Sequence, residues 1–266
     1  MKTLLVDCGA TKAAWYLSDG TLLSTPGFNL AHTPPAALEG ILDDVARKIG
    51  PGIDRIHFYA AGLVGEPPVD LRKWFPQARV EYASDMLAAA RAVCGKAPGI
   101  AAILGTGANS CEYDGEKIVR QVKSGGYILG DEGSASVLGK NFLADYLKGR
   151  VPDEIAQAFE ASFDASYPAI VRNVYRSDAP ARYLGSIAPF LQDHYDNEYV
   201  KELVDNNFRQ FFERAVRPYS PLPLGIVGGF GYVWRETIKN IGQEYGVAFS
   251  GFLPAPMDGL KAYHGL

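Results

Sequence analysis

The chain has 266 residues, 47% hydrophobic, 12% aromatic and 21% charged, enough apolar material for one large core or two moderate ones. A net charge of -4, with no stripe of Lys and Arg, lacks the electrostatic term on which nucleic-acid binding depends and points to small-molecule partners. Asp7 interrupts the apolar start and no apolar run approaches the ~18 residues of a membrane span, so the expected setting is the cytoplasm, without membrane contact.

Segment 3–24 reads as strand (TLLVD), tight connection (CGATK), strand (AAWYLS), an Asp19-Gly20 turn and a third strand (TLLS). Asp-Gly between alternating apolar residues is a strong hairpin signal. A helix over 35–49 follows, with Leu38, Ile41, Leu42, Val45 and Ile49 at helical spacing, and strands are predicted at 55–61 and 79–84. Asp85 opens a helix over 86–93, where an N-cap aspartate would satisfy free amides. KAPG (96–99) is the clearest break in the chain.

The order then repeats. Residues 100–122 give strand (IAAIL), connection (GTGANS), strand (CEY), an Asp114-Gly115 turn and strand (EKIVRQV), so two related lobes are expected, 1–98 and 99–266. A helix over 134–147, a helical insertion about 151–218 and a strand at LGIVGG (224–229) complete the second lobe. The helix expected over 199–216 carries Val200, Leu203, Val204, Phe208, Phe211, Phe212 and Ala215 on one stripe. Eight glycines fall between Gly105 and Gly139, a density that suggests backbone lying close to a ligand. GSASVLGKN imitates a Walker loop but fails, because Gly133 to Gly139-Lys140 is one residue too long and Asn141 replaces the Ser or Thr. Cys8, Cys94 and Cys111 show no CxxC spacing and His32, His57, His194 and His264 are scattered, so neither a disulfide framework nor zinc is indicated.

DCGATK, LGTGANS and LGDEGSASVLG, each after a strand and in this order, resemble the sugar-kinase, heat-shock-protein and actin ATPase superfamily. Within it they look most like the N-acetylglucosamine kinase and BadF/BadG/BcrA/BcrD-type ATPase group, over residues 3 to about 241. The resemblance implies an α/β fold of two duplicated ribonuclease H-like lobes, each a mixed five-stranded sheet flanked by helices, closing on ATP, Mg²⁺ and a sugar. It implies an ATP-dependent kinase acting on a hydroxyl of an amino sugar, N-acetylglucosamine or a close relative such as N-acetylmuramic acid. Dimers are common among such relatives.

In this light DCGATK resembles the first phosphate loop. Gly9 and Ala10 leave room for phosphate oxygens near backbone amides, Thr11 adds a hydroxyl, Lys12 a cation, and Asp7 can hold water on Mg²⁺. Gly105, Thr106 and Gly107 resemble the second phosphate loop, with Asn109 at a sugar-contacting position or in an Asx turn. Asp131 would bind sugar hydroxyls or metal-bound water, with Glu132 supporting it; both could also complement a helix N-terminus. Asp85 aligns with the catalytic aspartate, orienting the sugar hydroxyl and taking its proton late. Asn29 in GFNLAHT matches a sugar-contacting loop, and Gly62 falls at a strand end beneath the substrate or in a turn. Gly228 and Gly229 resemble the adenosine motif, before a helix from about Tyr232. The Gly-Ala-rich C-terminal helix of relatives is replaced by PAPMDGLKAYHGL. Two other functions remain open: an ATPase that activates a dehydratase or reductase through an iron-sulfur cluster, and a non-catalytic sugar sensor.

Overall fold

In the computed structural model, which describes residues 1–266 except Ala10, Thr11, His32 and Val64, both Asp-Gly pairs close hairpins. Asp19 Oδ1 accepts the Thr21 amide at 3.0 Å, and Asp114 Oδ1 accepts the Glu116 amide at 2.9 Å. Strands β1 (Thr3–Cys8), β2 (Lys12–Leu17) and β3 (Leu22–Pro26) form an antiparallel meander. After helix α1 (Pro35–Ile49), strands β4 (Arg55–Ala60) and β5 (Arg79–Ser84) add in parallel to β1, giving the order β3-β2-β1-β4-β5. Leu38, Leu42, Val45 and Ile49 of α1 bury against Leu4, Val6, Trp15, Phe28 and Phe58.

Helix α2 (Asp85–Cys94) leads to a second meander of β6 (Gly99–Leu104), β7 (Ala108–Tyr113) and β8 (Ile118–Arg120). Strand β8 is shorter than EKIVRQV suggests, because the chain leaves the sheet and the Val122 amide donates to Tyr219 Oη at 2.8 Å. Helices α3 (Gly126–Leu129) and α4 (Ala135–Tyr146) follow. The helical insertion then runs through α5 (Asp153–Ser162), α6 (Tyr167–Tyr175), α7 (Pro180–Gly185), α8 (Ala188–Asp193) and α9 (Glu198–Phe211). Strand β9 (Leu224–Val227), helices α10 (Gly229–Val233) and α11 (Arg235–Glu244), strand β10 (Phe249–Leu253) and helix α12 (Met257–His264) close the chain. The second sheet has the order β10-β9-β6-β7-β8, with β9 and β10 parallel to β6, so the two sheets share one topology.

The stripe expected over 199–216 is not one α-helix. Residues Phe212–Val216 form a π-helical turn, and Ser110 Oγ donates to the Ala215 carbonyl at 2.8 Å, satisfying an acceptor in the wider turn.

The alanines of α2 let it serve both sheets. Ala88 packs with Leu5 and Tyr59 of the first, while Met86, Ala89 and Ala90 bury against Ala101, Cys111 and Val227 of the second. A helix buried on two faces needs small side chains on both. The C-terminal helix also returns, despite its divergent sequence: α12 lies on α2 and β1, and a side chain at Gly259 would meet the Ala92 Cα at 2.7 Å. We expect Gly259→Val to force these helices apart and to cost roughly 1–3 kcal/mol, read by urea denaturation, without perturbing the loops at the far end of α2.

Candidate active site

The parallel strands of the first sheet end level with one another. Cys8 pairs with Ala60 and Ala60 with Ser84, so the residues next to these positions, Asp7, Gly9, Gly62 and Asp85, share one sheet edge. Loop 27–33 is tied to the same edge by the Leu30 amide, which donates to the Ala61 carbonyl at 2.9 Å, and by Cys8 Sγ, 3.4 Å from the Phe28 carbonyl. In it, Asn29 Oδ1 accepts the Ala31 amide at 2.9 Å and lies where a Gly62 side chain would stand. With φ at +74°, Gly62 is where a side chain is barred by conformation and by space together. Asn29 and Gly62, far apart in sequence, are therefore one feature.

Asp85 is not the N-cap. Ser84 takes that role, its Oγ accepting the Leu87 amide at 3.2 Å, and Asp85 is the first helical residue, its Oδ1 accepting the Met86 amide at 2.8 Å. Burial raises the Asp85 carboxyl, against the lowering effect of the amides of Met86 and of Asp85 itself. Burial first, then the charge of Asp85, push Asp7 up to about 7. Two acids thus crowd the end of β1, and each is costly to ionise alone.

At the first turn, the Gly9 amide donates to the Lys12 carbonyl at 3.1 Å. Gly9 therefore contributes space rather than a free donor, and Lys12 is exposed at the start of β2. Ala10 and Thr11, expected on the same turn, lie outside the described residues.

In the second lobe β6 and β9 also end level, Ile103 beside Val227, which places Gly105 to Gly107 next to Gly228 and Gly229. The Gly105 amide closes the loop onto the Gly107 carbonyl at 2.9 Å, so the loop's remaining donors are the Thr106 and Gly107 amides and the exposed Thr106 hydroxyl. Helix α4 does not point free amides at this space. Its Ala135 and Ser136 amides donate to the carbonyls of Gly105 and Thr106 at 3.0 and 3.1 Å, and Ser134 Oγ accepts the Val137 amide. The helix start fixes the loop instead. Gly228, at φ +126°, presses on the Leu104 carbonyl, where a Cβ would not fit, and Gly229 borders open space.

Asp131 is the one non-glycine residue at positive φ among the described residues, at 58°. It is held there by its own amide, which donates to the Ser124 carbonyl at 2.9 Å, and by its carbonyl, which accepts the Ser134 amide at 3.0 Å. Such strain persists only where the surroundings impose it. Its carboxylate lies over Gly107, close enough that a side chain there would stand 2.9 Å from Oδ2. Burial pushes Asp131 up to about 6, opposed by a hydrogen bond from the Ala108 amide and reinforced by the charge of Glu132. Asn109 lies within β7 rather than in a turn, with Gln121 Nε2 donating to its Oδ1 at 3.1 Å. Asn109, Asp131 and Glu132 line one cavity of about 260 Å³ with Lys123, Leu129 and Arg214, whose guanidinium sits 3.3 Å from Glu132.

Helix α2 joins the two edges. Asp85 starts it at the first sheet, and Met86, the next residue, shares a buried cluster with Val227, the residue before Gly228. Asp7 and Asp85 therefore lie at the carboxyl end of the parallel strands of the first sheet, and the Gly105–Gly107 loop, with Asp131 over Gly107, at that of the second, the ends at which open α/β sheets place their ligands. Sequence reasoning passed over Asn207. It is buried within the apolar stripe of α9, accepts the Gly133 amide at 3.3 Å and donates to the Ser134 carbonyl at 3.2 Å, fixing the loop that carries Asp131. A lone amide among Val204, Phe208 and Phe211 was its only signal.

No family profile and no curated protein matches this chain. Among solved structures, a Porphyromonas gingivalis protein provisionally designated an N-acetylglucosamine kinase is 35% identical, with a TM-score of 0.89 over 98% of each chain. A Chromobacterium violaceum protein designated in the same provisional way is 20% identical, with a TM-score of 0.73 over 98% of each chain, a likeness of fold. A ROK-family glucokinase from Streptomyces griseus, solved with glucose and AMPPNP, shares the fold at 16% identity and a TM-score of 0.52, over 99% of this chain and 98% of its own.

Proposed function

We propose that this chain, which belongs to the N-acetylglucosamine kinase family of actin-like ATPase folds, transfers the γ-phosphoryl group of ATP to a hydroxyl of an amino sugar. The observation that carries this reading is that α2, which begins at Asp85 at the carboxyl end of the first sheet, packs through Met86 against Val227, so that the strand ends bearing Asp85 and those bearing the Gly105 and Gly228 loops are joined by one helix.

In this reading, the Gly9–Lys12 turn and the Gly105–Gly107 loop take opposite sides of the triphosphate. Thr106 offers its amide and hydroxyl, Lys12 a mobile cation, and Gly228 and Gly229 leave space for the adenosine. Asn29, Asn109, Asp131 and Glu132 border the sugar, the Arg214 ion pair holding Glu132 in place. Asp85 orients the acceptor hydroxyl and receives its proton as the bond to phosphorus forms. Burial makes it a stronger base than an ordinary aspartate, which suits a loose phosphoryl-transfer transition state where proton transfer comes late.

The residues fit Mg²⁺. Asp7 and Asp131, both raised carboxyls, are hard oxygen donors that would hold it through water, and a cation beside Asp7 relieves its repulsion from Asp85. Mg²⁺ is usually held by one or two carboxylates, with waters and substrate phosphates completing its shell. When bound, the ion would supply charge to neutralise the phosphate oxygens.

An iron-sulfur activator role finds less support. A cluster shared between two subunits needs thiols at the surface, whereas Cys8 and Cys111 are buried and Cys94 is half-buried. ADP release with MgATP across a panel of amino sugars and neutral hexoses separates the readings: release only with an amino sugar supports the kinase, and release independent of sugar refutes it. Within that assay, Gly62→Ala should displace Asn29 and raise the sugar KM roughly tenfold while leaving the KM for ATP unchanged.

A further inference from the structure

At the opposite end of the first sheet, two arginines stand on neighbouring strands, neither in an ion pair among the described residues. Arg55 on β4 pairs in register with Arg79 on β5, which places their backbones about 4.8 Å apart with both side chains on one face. Like charges directly opposite are unfavourable, and a chain with 30 acidic against 26 basic side chains has carboxylates to spare. Yet neither guanidinium has a carboxylate within 4.0 Å among the described residues. The nearest acid in register, Glu81, is already engaged, its Oε2 2.9 Å from His57 Nδ1 and its Oε1 3.3 Å from the Arg91 guanidinium. Protection of an edge strand accounts for Arg79 on β5 but not for Arg55, since β4 lies inside the sheet. The two arginines, with His57, Val80 and Glu81, line a cavity of about 260 Å³, larger than a bare oxyanion needs.

We propose that this cavity binds the phosphate group of a small phosphorylated molecule, gripped by the paired guanidiniums. Two guanidiniums lining one cavity offer planar forks that match the oxygens of a tetrahedral dianion, whose charge would offset theirs. The site is remote from the glycine loops, at the other end of the strands, and stands whether or not the chain is a kinase.

The test follows histidine C–H signals by NMR in the full-length protein, with the crevice loaded with MgAMPPNP. Inorganic phosphate and, separately, glucosamine 6-phosphate are added to low-millimolar concentration, with sodium chloride of equal ionic strength as control. His57 lines the cavity and His264 stacks on it at 3.8 Å, whereas His194 lies on the helical insertion. Saturable shifts of His57 and His264 that spare His194 are expected. A larger affinity for glucosamine 6-phosphate identifies a phosphorylated sugar as the ligand, whereas equal affinities reduce the site to one for free phosphate and overturn the larger claim. Arg55→Gln with Arg79→Gln should weaken binding at least tenfold. Arg79→Lys, which keeps the charge but loses the fork, should weaken it severalfold at an unchanged melting temperature. Absence of shifts, shifts equal to those with sodium chloride, or shifts that survive in the folded double variant would each overturn the proposal and leave an adventitious ion only.

Discussion

Asp85→Asn is expected to lower kcat roughly 10²- to 10⁴-fold, a loss of about 3–5 kcal/mol of transition-state stabilisation, while AMPPNP still binds. The asparagine keeps the shape at the start of α2, and the Ser84 cap that secures the helix is untouched. Only the carboxylate's ability to take up a proton is removed. Binding of the nucleotide also gains an altered pH dependence, because the charge of Asp85 is one cause of the raised Asp7 carboxyl. In the parent protein, MgATP binding should strengthen as pH rises towards and through about 7, where Asp7 ionises. In Asp85→Asn the same rise should move to lower pH. Calorimetry at several pH values reads this; an unmoved midpoint would separate the two acids.

Asp7→Asn should abolish transfer and stabilise the unliganded protein at the same time. The folded carboxyl sits near 7 rather than at its ordinary value of 3.8, so between those values the folded state holds a proton that the unfolded chain has released. Stability therefore falls as pH rises across that window, and the penalty is complete above about 7. The asparagine has no such penalty, so at pH 8 the variant should melt a few degrees above the parent, whereas near pH 4 the two should converge. Thermal melts at both pH values check the sign. A variant less stable than the parent at pH 8 would mean that Asp7 is ionised and well satisfied in the fold.

Much of the architecture was legible because the punctuation is local. Two Asp-Gly turns at matching places in two meanders reported the duplication, and apolar spacing marked α1 and α4. What sequence did not reveal depends on contacts between distant residues. Ser84 and Asp85 are both good caps, and only the fold shows which one bonds the Leu87 amide. The alanines of α2 suit any crowded helix, so its burial between the sheets carried no periodic signal. The C-terminal helix lacks the expected composition, yet one glycine at the Ala92 contact suffices for the crossing. The network in which His264 Nε2 lies 2.8 Å from Tyr59 Oη joins residues 205 positions apart. The candidate residues themselves were readable as small and acidic groups at strand ends. Which amides stay free was not, since the Gly9 and Gly105 donors are consumed in closing their own turns.

The central claim is that the crevice between the duplicated sheets holds a triphosphate with the sugar hydroxyl at Asp85. A crystal structure with AMPPNP, Mg²⁺ and an amino sugar tests it most directly. The β- and γ-phosphates should lie between the Gly9–Lys12 turn and the Gly105–Gly107 loop, with a sugar hydroxyl within hydrogen-bonding reach of the Asp85 carboxylate. Nucleotide bound elsewhere, or a sugar whose hydroxyls all lie away from Asp85, would contradict the account.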